Sequence, residues 1–231
     1  MGYDFEFNGI TASDYKIHVE KRPSIPGKKE KIDYIEIAGR EETVADRKKF
    51  YEDVEIEVEC SFKEMQKDWI QKVREIKRWL RGSGELKFTD SADSFWKVKE
   101  IEIDGFERPL RKYGIFQVLF ICSPFEYLVE GQMKMDIKEA SYNPYEVSHP
   151  IYHITGEGYC ILIVNGKTMN ANVGQNLTID TERMLAYRED GTLQNTQVTG
   201  DYEDLYLQPG ENTITITSGF DLKIVPNWRR L

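Results

Sequence analysis

The sequence is poor in the residue types that carry chemistry. Among 231 residues there are three cysteines and three histidines. Cys60, Cys122 and Cys160 lie far apart, each inside an apolar strand pattern. Zinc sites need close pairs of ligands, so free, buried thiols in a reducing compartment are expected instead. His149 and His153 straddle Pro150, which extends the chain and prevents a helical i, i+4 metal pair. His18 stands among charged residues on a strand. No Ser-His-Asp arrangement, nucleophile elbow or HExxH motif is present. The G-x-G within "GEGYC" lacks a third glycine and a following helix, so it does not read as a dinucleotide site. No catalytic residue, cofactor or metal is expected.

Long apolar runs are also missing. No stretch approaches the roughly 20 residues that span a bilayer, so no membrane partner is expected. "MGYDFEFNGI" has neither a basic nor an apolar signal region, so no signal peptide is expected and Asn176-Leu-Thr should carry no glycan. Net positive charge is lacking too. The formal charge is −9, which argues against a grip on nucleic acid by a basic surface and against sequence-specific binding.

What the chain does have is strand patterning and, in its first half, charge. Residues 1–131 hold 50 charged side chains, and the last 100 residues hold 21. The second part is rich in Asn, Thr and Gly. Two domains, 1–131 and 132–231, account for this shift. In the first, "YDFEFNGI", "IDYIEIAG" and "DVEIEVECSF" alternate apolar and polar residues, as strands with one buried face do. On the second strand Ile32, Tyr34 (less cleanly Ile35) and Ile37 would face inward. On the third Val54, Ile56, Val58 and Cys60 would do so, with Glu55, Glu57 and Glu59 opposite. Between these two strands runs "REETVADRKKFYE", a mostly charged excursion of about a dozen residues; such excursions in compact domains are usually functional or flexible.

One helix is expected. Phe62, Met65, Trp69, Val73, Ile76 and Leu80 fall in one stripe at 100° per residue, and Gly82 and Gly84 supply a stop. "ELKFTD", "FWKVKEIEIDG" and "GIFQVLFICSPFEYL" read as further strands, the last apolar enough to be central. The second half reads as short strands with hairpin turns at Asn165-Gly166, Asp190-Gly191 and Pro209-Gly210, the pattern of a β-sandwich. The glutamates at 55, 57 and 59 share one strand face, not the two walls of a glycosidase cleft. "DRKKF" and "RPLRKYG" are basic patches in an acidic chain. They are either solvated loops or partners for acidic strands of a neighbouring copy. The second domain could also bind sugar on an exposed ring; Trp228 and tyrosines at 142, 145, 152, 159, 187, 202 and 206 are the available rings. The residues alone therefore favour a structural or binding protein over an enzyme.

The order of these segments resembles the distal tail proteins (Dit) of siphophages infecting Gram-positive bacteria. "YDFEFNGITASDYKIHVEKRPSIPG" resembles that family's opening strand, F-N-G hairpin and second strand. The charged excursion after "IEIAGRE", then "YEDVEIEVECSF" and a helix ending "WLRGSGELKFTD", resembles its first domain. "ILIVNGK", "LTIDTERMLAYREDGTL", "LQPGENTITITSG" and "KIVPNWRRL" resemble its second. The resemblance implies a mainly β fold: an N-terminal β-sandwich with one α-helix and a protruding arm, then a galectin-like C-terminal β-sandwich. It further implies a phage tail component at the virion tail tip, made in the host cytoplasm. Copies of the chain would close into a ring, usually a hexamer, joining the tail tube protein to the tail-tip protein and to receptor-binding proteins. DNA would pass through the centre. A single-chain ring needs a heterologous contact, and an arm leaving the sheet between Ala38 and Tyr51 could supply it. Arg40, Glu41, Glu42, Asp46 and Arg47 are the expected interface residues on that arm. The alternative reading is a carbohydrate-binding module acting in cell-wall attachment.

Overall fold

A computed structural model describes residues 2–231, apart from the side chains at 47–49. The chain divides into two compact units, one ending at Glu126 and the other spanning Tyr127–Arg230.

The first unit contains β1 (Phe5–Phe7), β2 (Ile10–Thr11), β3 (Ile17–Val19), β4 (Glu30–Ile35), β5 (Val44–Tyr51) and β6 (Val54–Lys63). Helix α1 (Trp69–Trp79) follows, then β7 (Gly84–Phe88), β8 (Ser94–Ile103), β9 (Glu107–Leu110) and most of β10 (Tyr113–Leu128). The sheet order is β2-β1-β7-β8-β10-β6-β3, with β9 also on β10. As its apolar run suggested, β10 is interior, between β8 and β6. Val118 faces Val58 and Phe120 faces Ile56 across an antiparallel ladder, and all four are buried. Asn8-Gly9 turns the first hairpin with φ of 51° and 80°, the left-handed pair that a two-residue turn matched to strand twist requires.

Helix α1 is shorter than its apolar stripe. Phe62 belongs to β6, opposite Gly114, where a Cβ would lie 2.3 Å from the Phe62 ring. Met65 is 56% exposed in the turn before the helix. The stripe ran on because a strand residue and a turn residue happened to fall in helical phase. The buried helix residues are Trp69, Lys72, Ile76 and Trp79. Trp79 stacks on Phe5 (centroids 5.6 Å apart) and on Tyr15 (4.7 Å), and its indole N–H donates to the Phe7 carbonyl at 3.3 Å.

The segment "IDYIEI" does not join the main sheet. β4 pairs only with β5, as a two-stranded hairpin, with Tyr34 opposite Ala45 and Ile35 opposite Val44. The arm therefore starts at Glu30, not at Ala38, and the inward face expected for Tyr34 and Ile37 does not exist: both are exposed. Alternation marks a strand correctly but does not say whether a core lies beneath it.

The second unit contains β11 (Met135–Asp136), α2 (Ile137–Ala140), β12 (Tyr142–Asn143), β13 (Ile151–Val164), β14 (Lys167–Asp180) and β15 (Leu185–Tyr187). After these come β16 (Val198–Thr199), β17 (Gly210–Glu211), β18 (Ile214–Ile216), β19 (Asp221–Val225) and β20 (Arg229–Arg230). The hairpin β13–β14 pairs over fourteen residues from Ile151↔Asp180 to Val164↔Lys167. Its turn, Asn165-Gly166, has φ of 51° and 79°. Strand β13 changes neighbour along its length: its first part pairs β19 and its last three residues pair β18. The switch falls at Gly156, where a Cβ would meet the Phe220 ring at 2.4 Å. Tyr152, Ile154, Leu162, Val164, Met169 and Ile179 fill the sandwich interior. The molecule is thus mainly β: a β-sandwich with one substantial α-helix and a protruding arm, then a second β-sandwich.

Candidate assembly surface

The arm is built by local pairing and fastened at its root. The Glu52 N–H donates to the Lys29 carbonyl at 2.9 Å, Tyr51 packs edge-on against Phe125, and Lys28 lies 5.4 Å over that same ring. Beyond the root, the arm's apolar side chains lack cover. Tyr34 is 68% exposed and Phe50 is 69% exposed, with Ile35 and Ile37 also uncovered. A lone two-stranded hairpin is marginal in water, and adjacent exposed apolar residues mark an interaction surface.

Of the residues expected at an interface, Arg40, Glu41 and Glu42 sit together at the exposed arm tip, where the Arg40 N–H donates to the Ile37 carbonyl at 3.0 Å. Asp46 is half-buried on β5, opposite Asp33. Arg47 pairs through its backbone with Ile32; its side chain lies outside the described residues. Sequence reasoning missed the apolar members, Tyr34, Ile35, Ile37 and Phe50. The available signal was a strand pattern whose partner, β5, is too charged to lie in a core.

The outer face of the main sheet is acidic. Glu55, Glu57 and Glu59 on β6 point outward, as their spacing indicated, across from Ile121, Leu119 and Gln117 of β10. Glu100 and Glu102 on β8 and Asp104 just beyond it are exposed on the other side of β10. Glu20 accepts a hydrogen bond from the Ser61 hydroxyl at this face.

Chemically reactive groups are muted. Burial, with nearby Asp4 and Glu20, pushes the Cys60 thiol up to about 12, and burial with Asp53 does the same for Cys122. All three cysteines are free and buried. His149 stacks on Tyr206 at 4.0 Å, and its Nε2 lies 3.0 Å from an Arg229 guanidinium nitrogen. That contact makes Nε2 the acceptor. His153 shares a hydrogen bond of 3.1 Å with the Thr178 hydroxyl. The two histidines do not converge on a common ligand. Among the described residues, no group of three or more His, Cys, Asp or Glu is placed to hold a metal ion, and no helix is long and apolar enough to cross a membrane. Of the rings considered for sugar, Tyr152 is buried, Tyr145, Tyr187, Tyr202, Tyr206 and Trp228 are half-buried, and Tyr142 and Tyr159 are exposed.

Two β-sandwiches in series, the first carrying a helix and a detached hairpin, set the fold class of the chain. No family model and no curated protein matches the chain. Solved structures do match. One is a crystal structure of the SPP1 Dit (gp 19.1) protein, described as a paradigm of the hub adsorption apparatus in phages infecting Gram-positive bacteria. The likeness covers 100% of both chains with a TM-score of 0.68 at 13% sequence identity. The chain has a Dit-like fold.

Proposed function

We propose that the chain is a structural hub protein of a phage tail, located at the virion tail tip and acting without catalysis. Copies close into a ring, a hexamer in this reading. The first domain, 1–131, forms the ring, and the galectin-like second domain, 132–231, lies outside it. The ring joins the tail tube protein to the tail-tip protein and to receptor-binding proteins, and DNA passes through its centre. The observation that carries the reading is the arm: a separate hairpin whose large apolar side chains are left uncovered in the single chain, within a Dit-like fold. In this reading the arm meets the neighbouring copy, its apolar side chains supplying area, and Arg40, Glu41, Glu42, Asp46 and Arg47 fixing register through both signs of charge. The net charge of −9 permits free passage of DNA, since it gives the chain no general grip on phosphates.

Light scattering and electron microscopy of the purified chain, alone and with its tail-tip partner, test this directly. Rings are expected from the full chain, and single copies from a chain lacking residues 41–48. Closed rings from the deleted chain would remove the arm from the interface. Single copies of the full chain under every condition would remove the ring.

A second reading, sugar binding by the outer domain, is favoured by Tyr159. This ring is 62% exposed on the outward sheet face and lies opposite Asn172, the neutral amide-and-aromatic chemistry that suits a sugar face. A glycan array with residues 127–231 checks it: binding lost in Tyr159→Ala supports the reading, and a silent array removes it.

A further inference from the structure

A second projection carries its own partner surface. Strand β9 and the start of β10 form a hairpin closed by Arg111 and Lys112, with Leu110 opposite Tyr113. The tip is braced: the Arg108 guanidinium donates to the Arg111 carbonyl at 2.6 Å and lies 5.0 Å from the Trp69 ring centroid. The Glu64 N–H donates to the Lys112 carbonyl at 2.8 Å. Leu110 is nonetheless 64% exposed, and Arg111 and Lys112 are exposed beside it. Pro109 removes a donor from the free edge of β9, which argues against addition of another strand there. The hairpin is therefore suited to docking through its side chains.

The chain also holds a surface of the opposite character. A hollow of about 550 Å³ is floored by Phe106 and Ile115 and walled by Glu20, Glu59, Asp104 and Glu107. It continues, through Asp104 and Gln117, into a smaller hollow of about 210 Å³ bearing Glu55, Glu57 and Glu102. An apolar floor between carboxylates complements an exposed leucine flanked by cations. On the same chain the two halves do not meet. The hollow sits at the base of the hairpin, where Glu107 pairs with Ile115, and Arg111 and Lys112 close the hairpin's other end. Among the described residues, neither Arg111 nor Lys112 forms an ion pair, and neither do Glu55, Glu57, Glu59, Glu102 or Asp104.

We infer that the Arg111–Lys112 hairpin tip of one copy docks into the carboxylate-walled hollow of another copy of this chain. The contact is heterologous, tip to hollow, so each copy gives one and receives one and the chain of contacts can close. It rests on the self-association proposed above but uses a surface separate from the arm. Opposed charges lower the cost of crowding so many carboxylates on one face.

The test is a charge exchange read by sedimentation velocity. One variant carries Arg111→Glu with Lys112→Glu. The other carries Glu59→Lys with Asp104→Lys. All four positions are exposed, and circular dichroism melting confirms that both variants fold. The full chain is expected to associate, less tightly as salt rises. Each variant alone is expected to bind itself at least about tenfold more weakly, since like charges then face each other. An equal mixture recovers association, because acidic tips meet basic hollows and basic tips meet acidic ones. Either variant associating like the unmodified chain, or a mixture that recovers nothing, overturns the tip-to-hollow pairing and leaves the arm reading standing. Single copies of the unmodified chain throughout, including with the tail-tip protein, would sink self-association itself and this contact with it.

Discussion

Asn212 shows how much one polar side chain can organise. It is buried, accepts hydrogen bonds from the Asn165 amide and the Gln208 N–H at 2.8 Å each, and donates to the carbonyls of Gln208 and Gly210 at 2.9 and 3.0 Å. Its own N–H reaches the Ser141 carbonyl. Four partner groups would lose their bond in Asn212→Ala. Each such bond contributes about 1 kcal/mol net, and more when its partner stays dry. Urea unfolding followed in the second unit is expected to report a loss of roughly 2–4 kcal/mol, with far-UV dichroism of the native state unchanged. His153 gives a pH signature. Burial, reinforced by Lys134, holds its imidazole below the ordinary value against the opposing pull of Glu189 and Asp180. The folded state therefore prefers the neutral ring, and the unfolded chain, titrating near 6.5, takes the proton first. Stability from this site is complete above about pH 6.5 and falls as pH drops through the window between the unfolded and folded values. In denaturant midpoints measured from pH 8 to 5, His153→Gln should flatten that part of the slope while leaving the carboxylate-driven loss at lower pH.

At the scale of elements, α1 is held by the end that its stripe omitted. Trp79→Ala removes two ring stacks and a hydrogen bond to Phe7, and is expected to cost about 3–5 kcal/mol in unfolding of the first unit. Met65→Ala, at a position that the stripe placed in the core, should stay within about 0.5 kcal/mol. The same contrast explains what could be read in advance. Turns such as Asn165-Gly166 were legible because left-handed φ at two successive positions selects those residues. The central place of β10 was legible because so apolar a run suits a strand paired along both edges, although its alternate residues, such as Ile115, face outward and stay partly exposed. The start of α1 was not, because periodicity cannot separate a strand's Phe62 from a helix's first turn. The arm was legible by its charges, Arg40 to Arg47, but not by its length. Whether Tyr34 and Ile37 meet a core depends on which strand pairs with β4, and that is a non-local fact. The apolar half of the candidate surface was hidden in a pattern that looked like core.

For the whole molecule, each unit encloses its own core, and this bears on where the chain can be cut. The buried apolar clusters run from Phe5 to Cys122 in one and from Ala140 to Ile224 in the other. The charge shift in the sequence suggests a cut at 131/132, but the closing segment of the second unit leans on residues before it. The Leu128 N–H donates to the Trp228 carbonyl at 3.0 Å, and the Asn227 N–H donates to the Gly131 carbonyl at 2.9 Å. At Gly131 a Cβ would lie 2.6 Å from the Trp228 backbone nitrogen. Tyr127 and Leu128 are themselves buried. Asn227 in turn reaches the His149 carbonyl, and Arg229 reaches that of Val147, so loosening this corner frees the last strand from the body of the sandwich. Two fragments separate the possibilities. Residues 127–230 are expected to fold cooperatively in urea. Residues 132–230, lacking two buried side chains worth roughly 2–3 kcal/mol each and two backbone bonds, should unfold at clearly lower urea. Tryptophan emission reports the difference directly, because Trp228 is the only tryptophan in either fragment. Equal midpoints and equal emission would mean that the closing segment holds without Tyr127, Leu128 and Gly131, and that the second unit begins where the charge density changes.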